Sequence, residues 1–228
     1  MENSNTKNKT KKENTELYVQ LGIIAVLALV IVFNFGRVYA GSKSNEISSN
    51  EVSTGIGLVS ASNIIPKGTP AVYGAELGVK YDYITPNNPQ LTQDTISKLS
   101  QYEDIELNKE QMSRYLKIGG SIACEYCCGA KSLIFSNGER ACGCAHSYAM
   151  RGLSKYLLTK HPEMADEEIL SELGKWKVLF FPGIHEQKAK VLEANGIDST
   201  NYINLASNLY RGIETGQSSG GGQMVGGC

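Results

Sequence analysis

Five of the six cysteines fall within 21 residues, as Cys124-Glu-Tyr-Cys127-Cys128 and Cys142-Gly-Cys144, with His146 two places after the last of them. Thiolate and imidazole together are a ligand set for soft cations, zinc or copper above all. The C-x2-C spacing lets two thiolates face one ion from a tight turn, and Gly129 permits the backbone twist such a turn needs. Cys142, Cys144 and His146 fall at the opening of a helical pattern, where unpaired N–H groups and the helix dipole favour thiolate. Between the two groups, Ser132 to Phe135 and Glu139 to Ala141 flank Asn137-Gly138, the dipeptide best suited to the two positive φ angles of a type I′ hairpin turn. Knuckle, hairpin and ligand-bearing helix start follow one another in the order of the treble-clef zinc sites.

Several uses of these residues are open. Cys124, Cys127, Cys142 and Cys144 would close a four-thiolate tetrahedron, a structural zinc site, with Cys128 and His146 as alternates. Side chains of adjacent residues diverge, so Cys127 and Cys128 are not expected to bind the same ion. A rival set is Cys142, His146 and Met150, which recur every four residues on one helical face and suit copper, although Met150 reads more simply as a core residue. Thiol–disulfide exchange through Cys127 and Cys128, or through the C-G-C pair, is an alternative of another class. So is an interaction scaffold stapled by a metal or a disulfide. The redox C-x-x-C normally opens a helix in a βαβ setting, and no such pattern precedes Cys124. His161 and His185 read as helix-terminal residues, and Cys228 with Met224 as the unstructured end of a glycine-rich leash. No phosphate loop, G-x-S-x-G or suggestive carboxylate pair points to an enzyme.

The C-x2-C followed by C-G-C-x-H and a helix resembles the cysteine-rich exported domains of the bacterial CYCGC-motif lipoproteins, over about Cys124 to Trp176, with Cys142-Gly143-Cys144 matching the terminal Cys-Gly-Cys. The resemblance implies a membrane-tethered, metal-binding domain outside the cytoplasm. No lipobox cysteine follows the apolar segment of this chain, so the segment itself would be the anchor.

The rest of the 228 residues must position and deliver this cluster, and net charge −1 gives no footing for nucleic acid. Residues 1–16 read as a polar, lysine-bearing cytoplasmic tail. Residues 17–36 read as a transmembrane helix, since Leu17 to Phe35 is apolar apart from Gln20 and Asn34. Lysines are denser before it than after, which keeps the amino terminus inside and exports the remainder. A cleaved signal peptide ending at Val38-Tyr-Ala40 is the competing reading. Residues 37–57 form a linker, 58–213 the exported cysteine-rich domain and 214–228 a flexible tail.

Within the domain the expected class is mainly α with a short β segment. Leu58 to Pro89 is punctuated by Gly and Pro and reads as short strands or a wrapping arm, with Tyr73, Tyr81 and Tyr83 packing inward. Helices follow from about Thr92 to Tyr102, and from an Asn108/Gln111 capping box to Gly119-Gly120. Others run from Ala145 to Lys160, from a cap at Asp166, from Pro182-Gly183 to Gly196, and from about Thr200 to Ile213.

Overall fold

The computed structural model of the chain describes residues 61–215 and Val225. The expected anchor, linker and terminal Met224 and Cys228 lie outside the described residues; among the described residues no helix is long and apolar enough to cross a membrane.

The architecture is a small helical bundle with almost no strand. In order the elements are α1 (Ala61–Ile64), α2 (Gly74–Leu77), a 3₁₀ turn at Tyr81–Tyr83, α3 (Pro89–Ser100), α4 (Lys109–Gly120) and α5 (Glu125–Cys128). Then come α6 (Ala145–Lys160), α7 (Asp166–Phe180), α8 (Pro182–Ala194), α9 (Tyr202–Ala206) and a 3₁₀ turn at Asn208–Tyr210. The central helix is α6, against which α3, α4 and α7 pack. Its Ala149, Met150, Leu153, Leu157 and Leu158 are fully buried with Ile96 and Leu99 of α3 and Leu173, Trp176 and Phe180 of α7. The approach of α3 is so close that a Cβ on Gly152 would lie 2.1 Å from the Leu99 carbonyl oxygen.

Local chemistry sets most helix ends where the sequence puts them. Asn108 and Gln111 form the reciprocal capping box of α4. Pro89 opens α3 behind Asn88, whose side chain accepts from the Leu91 N–H at 3.1 Å. The cap of α7 differs from expectation. Ala165 precedes the helix and gives its N–H to the Glu168 carboxylate at 2.7 Å. Asp166, one residue inside, accepts instead from Arg114 Nε at 2.7 Å and Lys117 Nζ at 3.0 Å, which ties α7 to α4.

Two other expectations are corrected. Leu58 to Pro89 contains no strands among its described residues; it wraps the bundle as short helical turns whose Tyr73, Val79, Tyr81 and Ile84 are buried, so their hydrogen bonds are local rather than cross-strand. The helix expected from Thr200 to Ile213 breaks at Ser207, whose hydroxyl accepts from the Leu209 N–H at 3.2 Å and starts the 3₁₀ turn.

Candidate metal centre

The end of α4 delivers the chain to Cys124 through Ile122 and Ala123, both fully buried. One turn of helix, α5, then carries Cys127 and Cys128, and Gly129 closes it at φ 68°. The hairpin returns the chain: Phe135 N–H donates to Glu139 O at 2.8 Å and Ala141 N–H to Leu133 O at 3.1 Å, about an antiparallel bridge between Ile134 and Arg140. Leu133 N–H is shared between Gly119 O at 3.0 Å and Ile122 O at 2.9 Å, which fixes the hairpin to the segment before the knuckle.

The hairpin turn is not type I′. Only Gly138 has positive φ, at 85°, and its N–H closes on Phe135 O at 2.9 Å. Asn137 stays on the negative side because its side-chain oxygen accepts from the Glu139 N–H at 3.0 Å, an Asx turn. The result is one ordinary turn followed by a left-handed glycine, the usual longer hairpin loop.

These elements bring four soft donors together. One ligand atom from each of Cys124, Cys127, Cys144 and His146 lies within 4.8 Å of all the others. The Cys124 and Cys144 sulfurs are 3.3 Å apart. Tetrahedral ligands bound at about 2.0–2.3 Å sit roughly 3.3–3.8 Å from one another, so small side-chain rotations would close this cluster on one ion. Cys124, Cys144 and His146 are buried and Cys127 is half-buried, which excludes water from most of the site.

The electrostatics favour thiolate at one sulfur. Cys144 is the N-cap of α6, and its sulfur accepts from the Ser147 N–H at 3.4 Å. Its pKa is lowered to about 3, first by the hydrogen bond with Cys124 and further by Ser147. Cys124 moves the other way, raised by its hydrogen-bonded contact with the Cys144 sulfur and by burial. One proton held between the two sulfurs accounts for both shifts, and it favours thiolate character at Cys144, the sulfur that also accepts from the Ser147 N–H.

His146 is oriented by the tail. Its Nε2 meets the Val225 carbonyl at 2.9 Å, and the Val225 N–H in turn donates to Phe180 O at 2.9 Å. A carbonyl only accepts, so Nε2 carries the proton and Nδ1 the lone pair. Nδ1 is buried without a hydrogen-bond partner, while the ring rests on Phe180 and Phe181 at centroid distances of 4.5 and 5.1 Å. A buried, unpartnered imidazole nitrogen among thiols fits a metal ligand, and a backbone carbonyl on the opposite nitrogen is the usual support for one.

The other sequence-derived candidates are placed differently. Cys142 lies outside the four-donor group and is bonded to Cys128 as a disulfide, so His146 stands where the all-thiolate set had Cys142. The adjacent Cys127 and Cys128 do diverge, one toward the cluster and one toward Cys142. The copper face of Cys142, His146 and Met150 is not assembled: Cys142 precedes α6, and Met150 is fully buried in the core. His161 pairs with Glu76 at 3.2 Å and Glu163 at 3.5 Å at the end of α6, and His185 Nδ1 donates to Phe181 O at 2.8 Å.

Two supporting cations were not legible in the sequence. Arg151, buried in α6, donates to Cys142 O at 2.8 Å and Leu133 O at 3.2 Å and is ion-paired with Glu103, so it clamps both legs of the hairpin to the central helix. Lys177, buried in α7, reaches Glu125 of α5 at 2.8 Å and Ala206 O at 2.8 Å, and Arg211 binds the other Glu125 oxygen at 2.8 Å. Burial lowers the Lys177 pKa, opposed by the charge and the hydrogen bond of Glu125. Both residues sit among apolar neighbours in the sequence, and the only available signal is a charge interrupting an otherwise inward-facing stripe.

Comparison with models of protein families, with curated proteins and with solved structures finds no match to the chain.

Proposed function

We propose that the chain is a membrane-anchored extracytoplasmic protein whose helical domain holds one soft metal ion, zinc foremost, through Cys124, Cys127, Cys144 and His146. The observation that carries this is the buried Nδ1 of His146, without a hydrogen-bond partner, in a cluster of three cysteines. Four enclosed protein donors with no open position match structural zinc; copper(I), content with two or three sulfurs, makes poorer use of the imidazole. Export is supported by the apolar segment Leu17 to Phe35 with its preceding lysines, and by the Cys128–Cys142 disulfide, which is at home in an oxidising compartment.

Elemental analysis of the full chain, purified in detergent without added metal, tests the reading. One zinc per chain is expected, with chelation lowering the melting temperature. Copper at that stoichiometry would change the ion but keep the site; no metal in any preparation overturns it. Thiol–disulfide exchange is favoured by one observation, the disulfide at exposed Cys128 beside the Cys144 thiolate. Its signature would be catalysed reduction of a protein disulfide by the metal-free chain.

A further inference from the structure

The disulfide adjoins the metal cluster rather than standing apart from it. The sulfurs of Cys128, Cys142 and Cys144 also lie within 4.8 Å of one another, so Cys144 belongs to two ligand groups at once. A thiolate has lone pairs enough to bridge two soft cations. We propose that reduction of Cys128–Cys142 opens a second site for a soft metal ion, made by Cys128, Cys142 and a bridging Cys144. The inference rests on the metal-holding reading of the first site and adds to it a second, redox-gated one.

The anchors on either side of the disulfide do not depend on it. Cys142 is held through its carbonyl by Arg151, and Cys128 rides on α5, whose Glu125 is pinned by Lys177 and Arg211. The Cα atoms of Cys128 and Cys142 are 6.8 Å apart, a separation from which two cysteines readily reach one ion. After cleavage both sulfurs therefore stay beside Cys144. Access is provided, since Cys128, Gly129 and Gly143 are exposed, and exposed disulfides are the labile and regulatory kind.

The reductant is a dithiol. Its thiolate attacks one sulfur and displaces the other, forming a mixed disulfide; its second thiol then closes a ring and releases the second cysteine. Two electrons pass from the dithiol to Cys128 and Cys142. The two protons end on those thiols, or in solvent once a cation binds. Three sulfurs leave the fourth position of a tetrahedral ion open, so this ion exchanges with solvent or a partner faster than the enclosed one.

Native mass spectrometry of the full chain in detergent, given zinc chloride as the probe, reads the switch directly. A water-soluble phosphine serves as reductant because it cleaves the same bond, with water supplying the oxygen of the phosphine oxide, and competes little for zinc. One bound zinc is expected before reduction and two after it, also in a Cys228→Ser background that removes the terminal thiol. Cys128→Ser, at an exposed position, should hold one zinc in both states, and Cys142→Ser checks the same point from the other side. One zinc in both states of the unsubstituted chain overturns the second site alone, as do two in Cys128→Ser. No zinc in either state overturns the first site as well, which keeps the two failures distinct.

Discussion

Two of the buried polar clusters in this domain end differently. In the seam beneath α7, Trp176 Nε1 donates to Tyr73 Oη at 2.6 Å, and the Tyr73 and Tyr81 hydroxyls both donate to Glu172 at 2.9 and 2.5 Å. Glu172 also takes Lys175 at 2.5 Å, so the chain of donors runs out to a charged pair at the surface. In the cysteine cluster one atom is left over: three sulfurs and the Nδ1 of His146 gather within 4.8 Å, one proton is shared between Cys124 and Cys144, and the buried Nδ1 has no hydrogen-bond partner. The first arrangement is complete as it stands and supports packing. The second leaves the lone pair of His146 Nδ1 unmet, and a cation is the partner that would take it together with the sulfurs. Burying a polar atom is costly unless it is paired, so an unpartnered Nδ1 set among thiols is the feature that points to a ligand.

The sharpest way to break this contrast is to cut the support of the cysteine side, the clamp of α6 on the hairpin. Arg151→Met leaves Glu103 buried beside a single partly exposed partner, Arg140 at 2.9 Å, and should cost about 3–5 kcal/mol in a urea titration while loosening the hairpin. A smaller effect, confined to one side, is expected of Cys124→Ser. If the roughly 10–16 kcal/mol of a structural zinc site is spread over four ligands, its loss weakens zinc binding by about 3 kcal/mol, on the order of 100-fold, in competition with a chromophoric chelator.

Removing the tail after Thr215 takes away the Val225 carbonyl without touching a ligand. Zinc affinity should drop about 10–100-fold, the usual effect of losing the group that orients a ligating imidazole, and the urea midpoint of the metal-free form should hardly move. The shared proton gives a pH test of similar or lesser size. Because the Cys124 pKa is raised, the metal-free protein keeps that proton through neutral pH and zinc must expel it; affinity therefore rises with pH, about tenfold per unit for this proton. Cys144, whose pKa is lowered, adds little to that slope near neutral pH. Isothermal titration in buffers of different ionisation enthalpy counts the protons released.

The smallest effect on zinc affinity belongs to the closed seam. Tyr73→Phe strands Trp176 Nε1 and removes one donor to Glu172, a cost of about 1–3 kcal/mol in stability with zinc affinity unchanged. A shift in affinity there would erase the distinction between the two clusters.

Much of this was legible one residue at a time. The capping box at Asn108, the glycine pair ending α4, the α6 boundaries and the return hairpin depend on backbone groups within a few positions of one another, and sequence patterns report such local bonds well. The arm before α3 and the segment after Thr200 misled because their short elements are decided by what they cover. Tyr73 and Tyr81 answer to Glu172 and Trp176, roughly a hundred positions away, and Ser207 ends a helix by a single hydroxyl bond. The exchange of Cys142 for His146 in the cluster had no local signal, since spacing allows either.

The sequence by itself determined that the cysteines would gather, because a knuckle, a turn-coded hairpin and a helix start lie in consecutive order and bring their own ends together. It also determined that Cys127 and Cys128 would face apart, as neighbours on one turn of backbone must. Only the tertiary structure decided which sulfur goes where. Arg151 anchors the Cys142 carbonyl beside Cys128, the opening turn of α6 aims Cys144 inward, and a carbonyl from the far end of the chain turns His146 so that its remaining nitrogen faces the thiols. Those contacts join residues far apart in the chain, and no spacing rule encodes them.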